Sequence, residues 1–517
     1  MTAPHQRVLI LDFGSQTTQL IARRVREARV YSEIHPYSWG IDHVKAFEPN
    51  AIILSGGPAS VYDDDAPMPD SEIFDLGLPI LGICYGMQAM TVHAGGRIEA
   101  SPTREFGRSH ITIQDTTRIF QGFETDTPEQ VWMSHGDRLI DLPDGFSVTA
   151  VTDNKIPAAI AHATQPWFGV QFHPEVVHTP RGAQLIERFL FDVCGLSPSW
   201  NMHAFVEETV KDMKERIGDN KVICGLSGGV DSAVTAALLH RAIGKQLYCV
   251  FVDNGVLRLH EAEQVMRTFR DELKFNLTAV DAGEEFFAVL KGVTDPEEKR
   301  IRIGHKFIDI FEKAAASITD VKYLAQGTLY PDVIESVSVR GGPSATIKSH
   351  HNVGGLPARL GFELVEPLRE LFKDEVRAVG RELGLPHDVL ERQPFPGPGL
   401  AVRILGEVTP ERVNVLQQAD YITQEELHKH EWVSEIWQSF TVLLPVRTVG
   451  VMGDQRTYEN VAAVRAVSSL DGMTADWYPI PHEALQTISN RIINEVSGVN
   501  RVVYDISSKP PATIEWE

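Results

Sequence analysis

The sequence predicts an α/β protein: two doubly wound α/β domains with mainly parallel sheets, followed by a smaller C-terminal α+β domain. Three observations predict it. Short apolar runs alternate with helix-like segments from the N-terminus to about residue 195, and the same alternation resumes at Val222. Alternation of this kind implies parallel strands with helices packed on both faces. The string Gln393-Pro394-Phe395-Pro396-Gly397-Pro398-Gly399 then interrupts any regular element. A chain of 517 residues is too long for one core. The expected domains are residues 1–196, 197–392 and 393–517.

Taken in order, Val8–Leu11, Ala51–Leu54 and Pro79–Ile83 are apolar runs ended by Gly, Asp or Ser, as buried strands are. Gly195-Leu196-Ser197-Pro198-Ser199 reads as a linker. Val222–Leu226, Leu247–Val252 and Tyr323–Ala325 supply strands of the second sheet. The region after the Pro/Gly string holds Trp432, Trp437, Trp477 and Trp516, half of the chain's eight tryptophans. That enrichment hints at an interface, with core packing as the plainer reading of each one. By its position alone, Lys509–Trp516 reads as a frayed terminus.

The formal charge is −22, from 70 acidic against 48 basic residues. Such a surface argues against nucleic acid as a partner, because phosphate backbones need a basic face. Small anionic substrates stay open, since salt screens surface charge beyond roughly 8 Å. No apolar run approaches the roughly 18 residues of a membrane span. Val8–Leu11 runs straight into Asp12, which is unlike a signal peptide. Cys84, Cys194, Cys224 and Cys249 form no C-x-x-C pair, so the pattern fits a reducing cytoplasm rather than disulfides or zinc.

Two strings carry chemistry. In Gly82-Ile83-Cys84-Tyr85-Gly86 the cysteine stands between a strand and a helix-like segment. The flanking glycines suit a tight nucleophile turn, and a helix N-terminus favours thiolate. A buried core cysteine is the plain alternative. In Gln171-Phe172-His173-Pro174-Glu175, extended backbone would put His173 and Glu175 on one face, as a base and its orienting carboxylate require. The amides of Gly56 and Gly57, after the Ala51–Leu54 strand, would join that of Tyr85 as an oxyanion hole. Gly-Gly-Pro is equally an ordinary turn.

The second string is Ser227-Gly228-Gly229-Val230-Asp231-Ser232, between a strand and a helix-like segment, the geometry that cradles phosphate through backbone amides. It lacks the lysine of the usual P-loop. A carboxylate so close to phosphates needs a cation, for which magnesium on Asp231 is the natural choice. Lys348, in the glycine-flanked segment 341–355, is the expected mobile cation. Asp253 ends a strand where open α/β sheets bind ligands, although Asp-Asn-Gly is also a plain turn signal.

With those residues in view, the first region resembles the class I triad glutamine amidotransferases and the second the N-type ATP pyrophosphatases. The whole chain resembles the glutamine-hydrolysing GMP synthetase family. The resemblance implies that Cys84 attacks glutamine, His173 moves the proton and Glu175 orients His173. It places Gln88, Ser134 and His135 around glutamine, and the 227–232 loop with Asp253 around ATP. It implies that Lys348 neutralises charge, and that Arg300, Lys509, Ile514 and Glu515 hold xanthosine monophosphate (XMP), the tail folding over it. It further implies Mg2+ with ATP, a cytoplasmic enzyme and a homodimer built through the C-terminal domain. Two other readings stand beside it. One is a pyrophosphate-loop enzyme with another acceptor, such as a tRNA thiolase; the other is a non-catalytic glutamine sensor.

Overall fold

The computed structural model describes residues 6–125, 127–336, 361–452, 455–469, 472 and 474–517. Two compact units divide between Phe205 and Val206.

In the first unit the elements run β1 (Arg7–Asp12), α1 (Thr18–Glu27), β2 (Tyr31–Pro36), α2 (Ile41–Phe47), β3 (Ala51–Leu54), β4 (Ile80–Ile83) and α3 (Tyr85–His93). β5 (Arg97–Ile113), β6 (Pro128–Asp141), β7 (Phe146–Thr152), β8 (Pro157–His162), β9 (Trp167–Val170) and α4 (Gly182–Arg188) follow. One nine-stranded sheet takes the order β2-β1-β3-β4-β9-β8-β7-β5-β6. Pairings from β2 to β9 are parallel and those from β9 to β6 antiparallel. The two halves differ in burial for a physical reason. β3 and β4 are buried at every position, as strands covered on both faces must be, whereas β6 alternates buried and accessible residues.

α3 is buried around most of its circumference, including Tyr85, Met87, Gln88, Ala89 and Met90. It can lie there because its neighbours lack side chains. A Cβ on Gly86 would stand 2.2 Å from the Leu54 carbonyl oxygen, and one on Gly82 would stand 2.6 Å from the Met87 nitrogen. These glycines therefore serve close approach. The unusual backbone belongs to Cys84 itself, at φ 52°, ψ −109°.

The second unit opens with the rest of α5 (Met202–Ile217), then β10 (Lys221–Gly225), α6 (Val230–Ile243), β11 (Leu247–Asp253), α7 (Glu261–Val265), β12 (Leu277–Asp281), α8 (Gly283–Leu290) and α9 (Pro296–Ala316). β13 (Val321–Ala325), α10 (Tyr330–Ser336), β14 (Glu363–Val365), α11 (Lys373–Glu382) and α12 (His387–Leu390) come next. Five parallel strands take the order β12-β11-β10-β13-β14. β10 and β11 begin this sheet's core with the apolar runs the sequence shows.

The C-terminal part packs α13 (Pro410–Leu427) and α14 (His482–Glu495) on a sheet of β15 (Gln438–Met452), β16 (Gln455–Ser468), β17 (Asp476–Trp477) and β18 (Val499–Tyr504). One core cluster runs from Ile223, Val250 and Leu324 to Leu416, Leu443, Ala462 and Ile488. The segment Gln393–Gly399 is irregular, as the sequence requires, yet well anchored: Gln393 Oε1 accepts from the Ser439 amide at 2.8 Å. Lys509–Trp516 is likewise anchored rather than frayed. Arg465, fully buried, donates to the carbonyls of Thr513 and Ile514 and to the Asp505 carboxylate. Buried guanidinium groups need such partners, so a tail that supplies them is held in place.

Replacing Gly86 by alanine should cost about 1–3 kcal/mol through the overpacking against Leu54. Denaturant unfolding of the purified chain measures this, and an unchanged midpoint would count against the close-packing account.

Candidate active sites

The first site gathers at the C-terminal ends of the parallel strands of the first unit. Cys84 caps α3, its amide donating to the Val170 carbonyl at 2.8 Å, which joins the end of β4 to the end of β9. Positive φ on a non-glycine residue is a strained backbone, and it turns the thiol away from the strand. The sulfur lies 3.7 Å from Gln171 Nε2 and 3.8 Å from the Ser134 carbonyl.

His173 and Glu175 do meet, but not as neighbours on a strand. β9 stops at Val170, and residues 171–175 form bends and a turn. Pro174 has no amide for a ladder, and the His173 amide instead donates to the Trp132 carbonyl at 3.0 Å. The turn brings His173 Nδ1 to 2.7 Å from Glu175 Oε1. Glu175 is 1% exposed, and its Oε1 also accepts from Thr17 Oγ1 at 2.7 Å. Thr17 is a partner that sequence reasoning missed; its one signal is the polar run Gly14–Thr18 just beyond β1.

Burial disfavours charge on the His173 ring. Hydrogen bonds to Cys84 and Glu175, together with their negative charge, outweigh that and raise the imidazole from 6.5 to about 10. A protonated imidazole beside sulfur is the charge partner a thiolate nucleophile uses.

A Cβ on Gly56 would lie 3.1 Å from His173 Cε1 and 3.7 Å from Cys84 Cβ, so Gly56 borders the pair directly. At Gly57 the corresponding direction faces Phe13, 2.8 Å from its carbonyl oxygen. Tyr85 opens α3, whose first amides point out of the helix end beside the sulfur. Gln88 is buried and donates to Gln171 Oε1 at 3.3 Å, which makes Gln171 a neighbour of the site that its sequence position does not announce. Ser134 is exposed, whereas His135 is buried, its Nδ1 on the Asp137 carbonyl and its Nε2 3.4 Å from Glu105. Burial lowers the His135 pKa despite those partners. Asp137 receives Ser60 Oγ at 2.8 Å and Tyr62 OH at 2.7 Å, which pins the stretch following Gly56-Gly57-Pro58 to β6.

The second site lies in the second unit, where β10 leads through Ser227–Gly229 into α6. Gly228 takes φ 76°, a left-handed turn suited to glycine. Ser227 Oγ and Ser232 Oγ lie 3.0 Å apart and close the loop from within. Val230 is buried beneath it. Gly327 packs so closely that a Cβ there would meet the Asp231 backbone at 3.3 Å, bringing the end of β13 to the loop. Asp231 sits in the first turn of α6, and Lys373 Nζ contacts both its carboxylate oxygens, at 2.6 and 2.5 Å. Lys373 is thus a cation found at this loop; a single lysine opening a helix gave no sequence signal. Lys348 lies outside the described residues. Asp253 accepts from the Gly255 amide at 2.9 Å, the turn that Asp-Asn-Gly announces, at the C-terminal end of β11.

A third group forms around the tail. Glu515 receives Arg403 through two bonds, at 2.8 and 3.1 Å, and Gln438 Nε2 at 2.7 Å. Arg300 reaches the Glu517 carbonyl at 2.5 Å, and fully buried Lys299 reaches its carboxylate at 2.5 Å. Lys509 Nζ donates to the Gly472 carbonyl at 2.8 Å. Ile514 is buried among Phe440, Val442 and Val467. The sequence held no sign of Arg403 or Gln438.

The family profile for class-I glutamine amidotransferases matches residues 9–193, which hold the thiol site. The NAD synthase profile matches residues 201–305, which hold the glycine loop, and the GMP synthase C-terminal domain profile matches residues 425–516. Site and fold together define a glutamine amidotransferase unit joined to an ATP-cleaving synthetase unit. Three full-length relatives are each described as GMP synthase (glutamine-hydrolyzing). That of Maridesulfovibrio salexigens is 58% identical over 511 residues, covering 99% of both chains. That of Solidesulfovibrio magneticus is 59% identical over 512 residues, again 99% of both. That of Phenylobacterium zucineum is 58% identical over all of this chain and 99% of its own. The chain belongs to the glutamine-hydrolysing GMP synthase family.

The His173 value carries a pH signature. A folded value of about 10 against the ordinary 6.5 means that the charge on His173 stabilises the fold fully below pH 6.5 and loses that effect as pH rises toward 10. Glu175→Gln removes the partner of that charge, so its stability deficit should be large at neutral pH and shrink toward pH 10. Denaturant midpoints across that range test it, and a pH-independent deficit would rule it out.

Proposed function

We propose that the chain makes GMP in two stages, using glutamine, MgATP and XMP. The observation that carries this reading is a buried Cys84–His173–Glu175 relay on one sheet together with a lysine-backed glycine loop on another, in one chain. Cys84 attacks the glutamine carboxamide while His173 gives its proton to the leaving ammonia. Glu175, held by Thr17, keeps the imidazole oriented. Amides near Gly56, Gly57 and Tyr85 receive the oxyanion, with Gln88, Ser134 and His135 lining the glutamine pocket.

In the second unit the amides of Ser227–Ser232 receive the pyrophosphate part of ATP, and Asp253 lies at the strand end beside it. The XMP oxygen at purine carbon 2 attacks the α-phosphorus, pyrophosphate leaves, and ammonia then displaces AMP. Arg300, Lys509, Ile514 and Glu515 stand for the XMP side, and Lys348 for further charge neutralisation. Asp231 fits magnesium in a limited sense. Among the described residues no cluster of three His, Cys, Asp or Glu side chains could hold a metal. An ion held mainly by phosphates and water, however, needs only one or two carboxylates from the protein. When bound, it would neutralise phosphate charge. Lys373 would then share Asp231 or turn to the phosphates.

We also read the functional division as 1–196, 197–392 and 393–517, and the setting as cytoplasmic. Among the described residues no helix is long and apolar enough to cross a membrane. For a homodimer, support comes from Val449 and Tyr458, which face each other across β15 and β16 at 51% and 59% exposure. Val451, two residues along β15 and 73% exposed, extends the pair toward an apolar patch, and it is a contiguous patch that marks an interface.

Two tests follow. Cys84→Ala should abolish glutamine-supported AMP release while leaving ammonium-supported release near the parent level. Lys373→Met and Asp231→Asn should lower both by about 100-fold. XMP-independent AMP release would overturn the acceptor. Tyr458→Lys should shift the sedimenting species from dimer to monomer, and an unchanged dimer would locate the interface elsewhere.

A further inference from the structure

Gln393–Gly399 reads in the sequence as a boundary, and nothing in the proposed chemistry uses it or the preceding Arg392. We infer that Arg392 is a positioning residue that orients the glycine loop for pyrophosphate, with the Pro/Gly segment as its mount. The inference rests on the reading of Ser227–Ser232 as the pyrophosphate loop.

Arg392 Nη1 donates to the Gly228 carbonyl at 3.0 Å, and its Nη2 pairs with Glu261, itself 4% exposed. In a trans peptide the carbonyl oxygen and the following N–H point in opposite directions. Fixing the Gly228 oxygen on the guanidinium therefore aims the Gly229 N–H into the loop. Among the described residues that amide meets only Ser227 Oγ, at 3.3 Å, a long bond that an anion would readily replace. The space is tight as well as directed: a Cβ on Gly228 would stand 2.9 Å from Val265 and 3.2 Å from Arg392 Nη1.

The guanidinium is held on its other sides. Phe395 is approached by three guanidinium carbons, those of Arg258 at 4.9 Å, Arg403 at 5.2 Å and Arg392 at 5.9 Å. Pro394 and Gln393 are tied to β15 through Gln438 and Ser439. Arg403 in turn grips Glu515. One aromatic ring thus separates the group that orients the glycine loop from the group that holds the tail.

The test uses the full-length chain with ammonium as nitrogen source. Arg392→Met should raise both the KM for MgATP and the inhibition constant for pyrophosphate by about tenfold, the worth of one charge-assisted hydrogen bond. Arg392→Lys, which keeps the charge but cannot hold Gly228 and Glu261 together, should fall between. If Arg392→Met leaves Glu261 unpaired and fails to fold, Arg392→Met with Glu261→Gln removes both charges and should show the same two shifts. A merely structural role would reduce the active fraction and leave both constants within twofold of the parent, and that result overturns the inference. Asp231→Asn separates the two levels. If it keeps parent-like MgATP use, the loop reading itself falls and the inference with it. If it loses that use while the arginine variants behave as parent, only the role of Arg392 falls.

Discussion

Close backbone approach at the start of a helix is the constraint on which both sites depend. In the first unit the Leu54 carbonyl leaves no room for a side chain on Gly86, which draws the N-terminus of α3 against the end of β3. The chain can reach that position from β4 only by a sharp turn, and Cys84 takes it with positive φ. In the second unit Gly327 lies against the Asp231 backbone, drawing the end of β13 onto the first turn of α6. In each case a missing Cβ lets strand ends and a helix start converge. That convergence supplies outward-pointing amides where negative charge must be received.

The second unit depends on buried cations to a degree its composition conceals. Arg403, Arg465 and Lys299 are fully buried, and each finds an acceptor in the C-terminal segment, on Glu515, Ile514 and Glu517 respectively. Removing one partner of such a group is far costlier than the pair's net contribution, because an unpaired charge remains in a dry interior. Tail and interior therefore order each other.

How much of this was legible varied with the physics of each signal. Buried parallel strands announce themselves as unbroken apolar runs, so β1, β3, β4, β10, β11 and β13 were readable to within about two residues. The antiparallel half of the first sheet was not, since its strands are half exposed and carry many polar residues. The partnership of His173 and Glu175 was anticipated, but the extended geometry behind it was replaced by a proline-bearing turn. Gly82 and Gly86 were singled out, although for turn freedom rather than for the contacts they permit. Thr17, Lys373 and Arg403 act across 158, 142 and 112 positions of sequence. Contacts at such separations leave no local pattern, and only the fold reveals them.

The burial of guanidinium groups has an electrostatic corollary. Buried Arg26, Lys299, Arg403 and Arg465 are matched by buried Asp137, Glu175, Glu261, Glu375, Asp420 and Glu426, so burial leaves the outer face of a chain of net charge −22 still strongly acidic. At long range such a face repels any nucleotide, so one bound at the glycine loop or the tail would be held by local amides and cations. At an ionic strength where the Debye length is about 8 Å, the repulsion fades before the attraction begins. For an anionic substrate, ordinary physiological salt would thus act as a lubricant of encounter, and recognition would be left to a few short contacts.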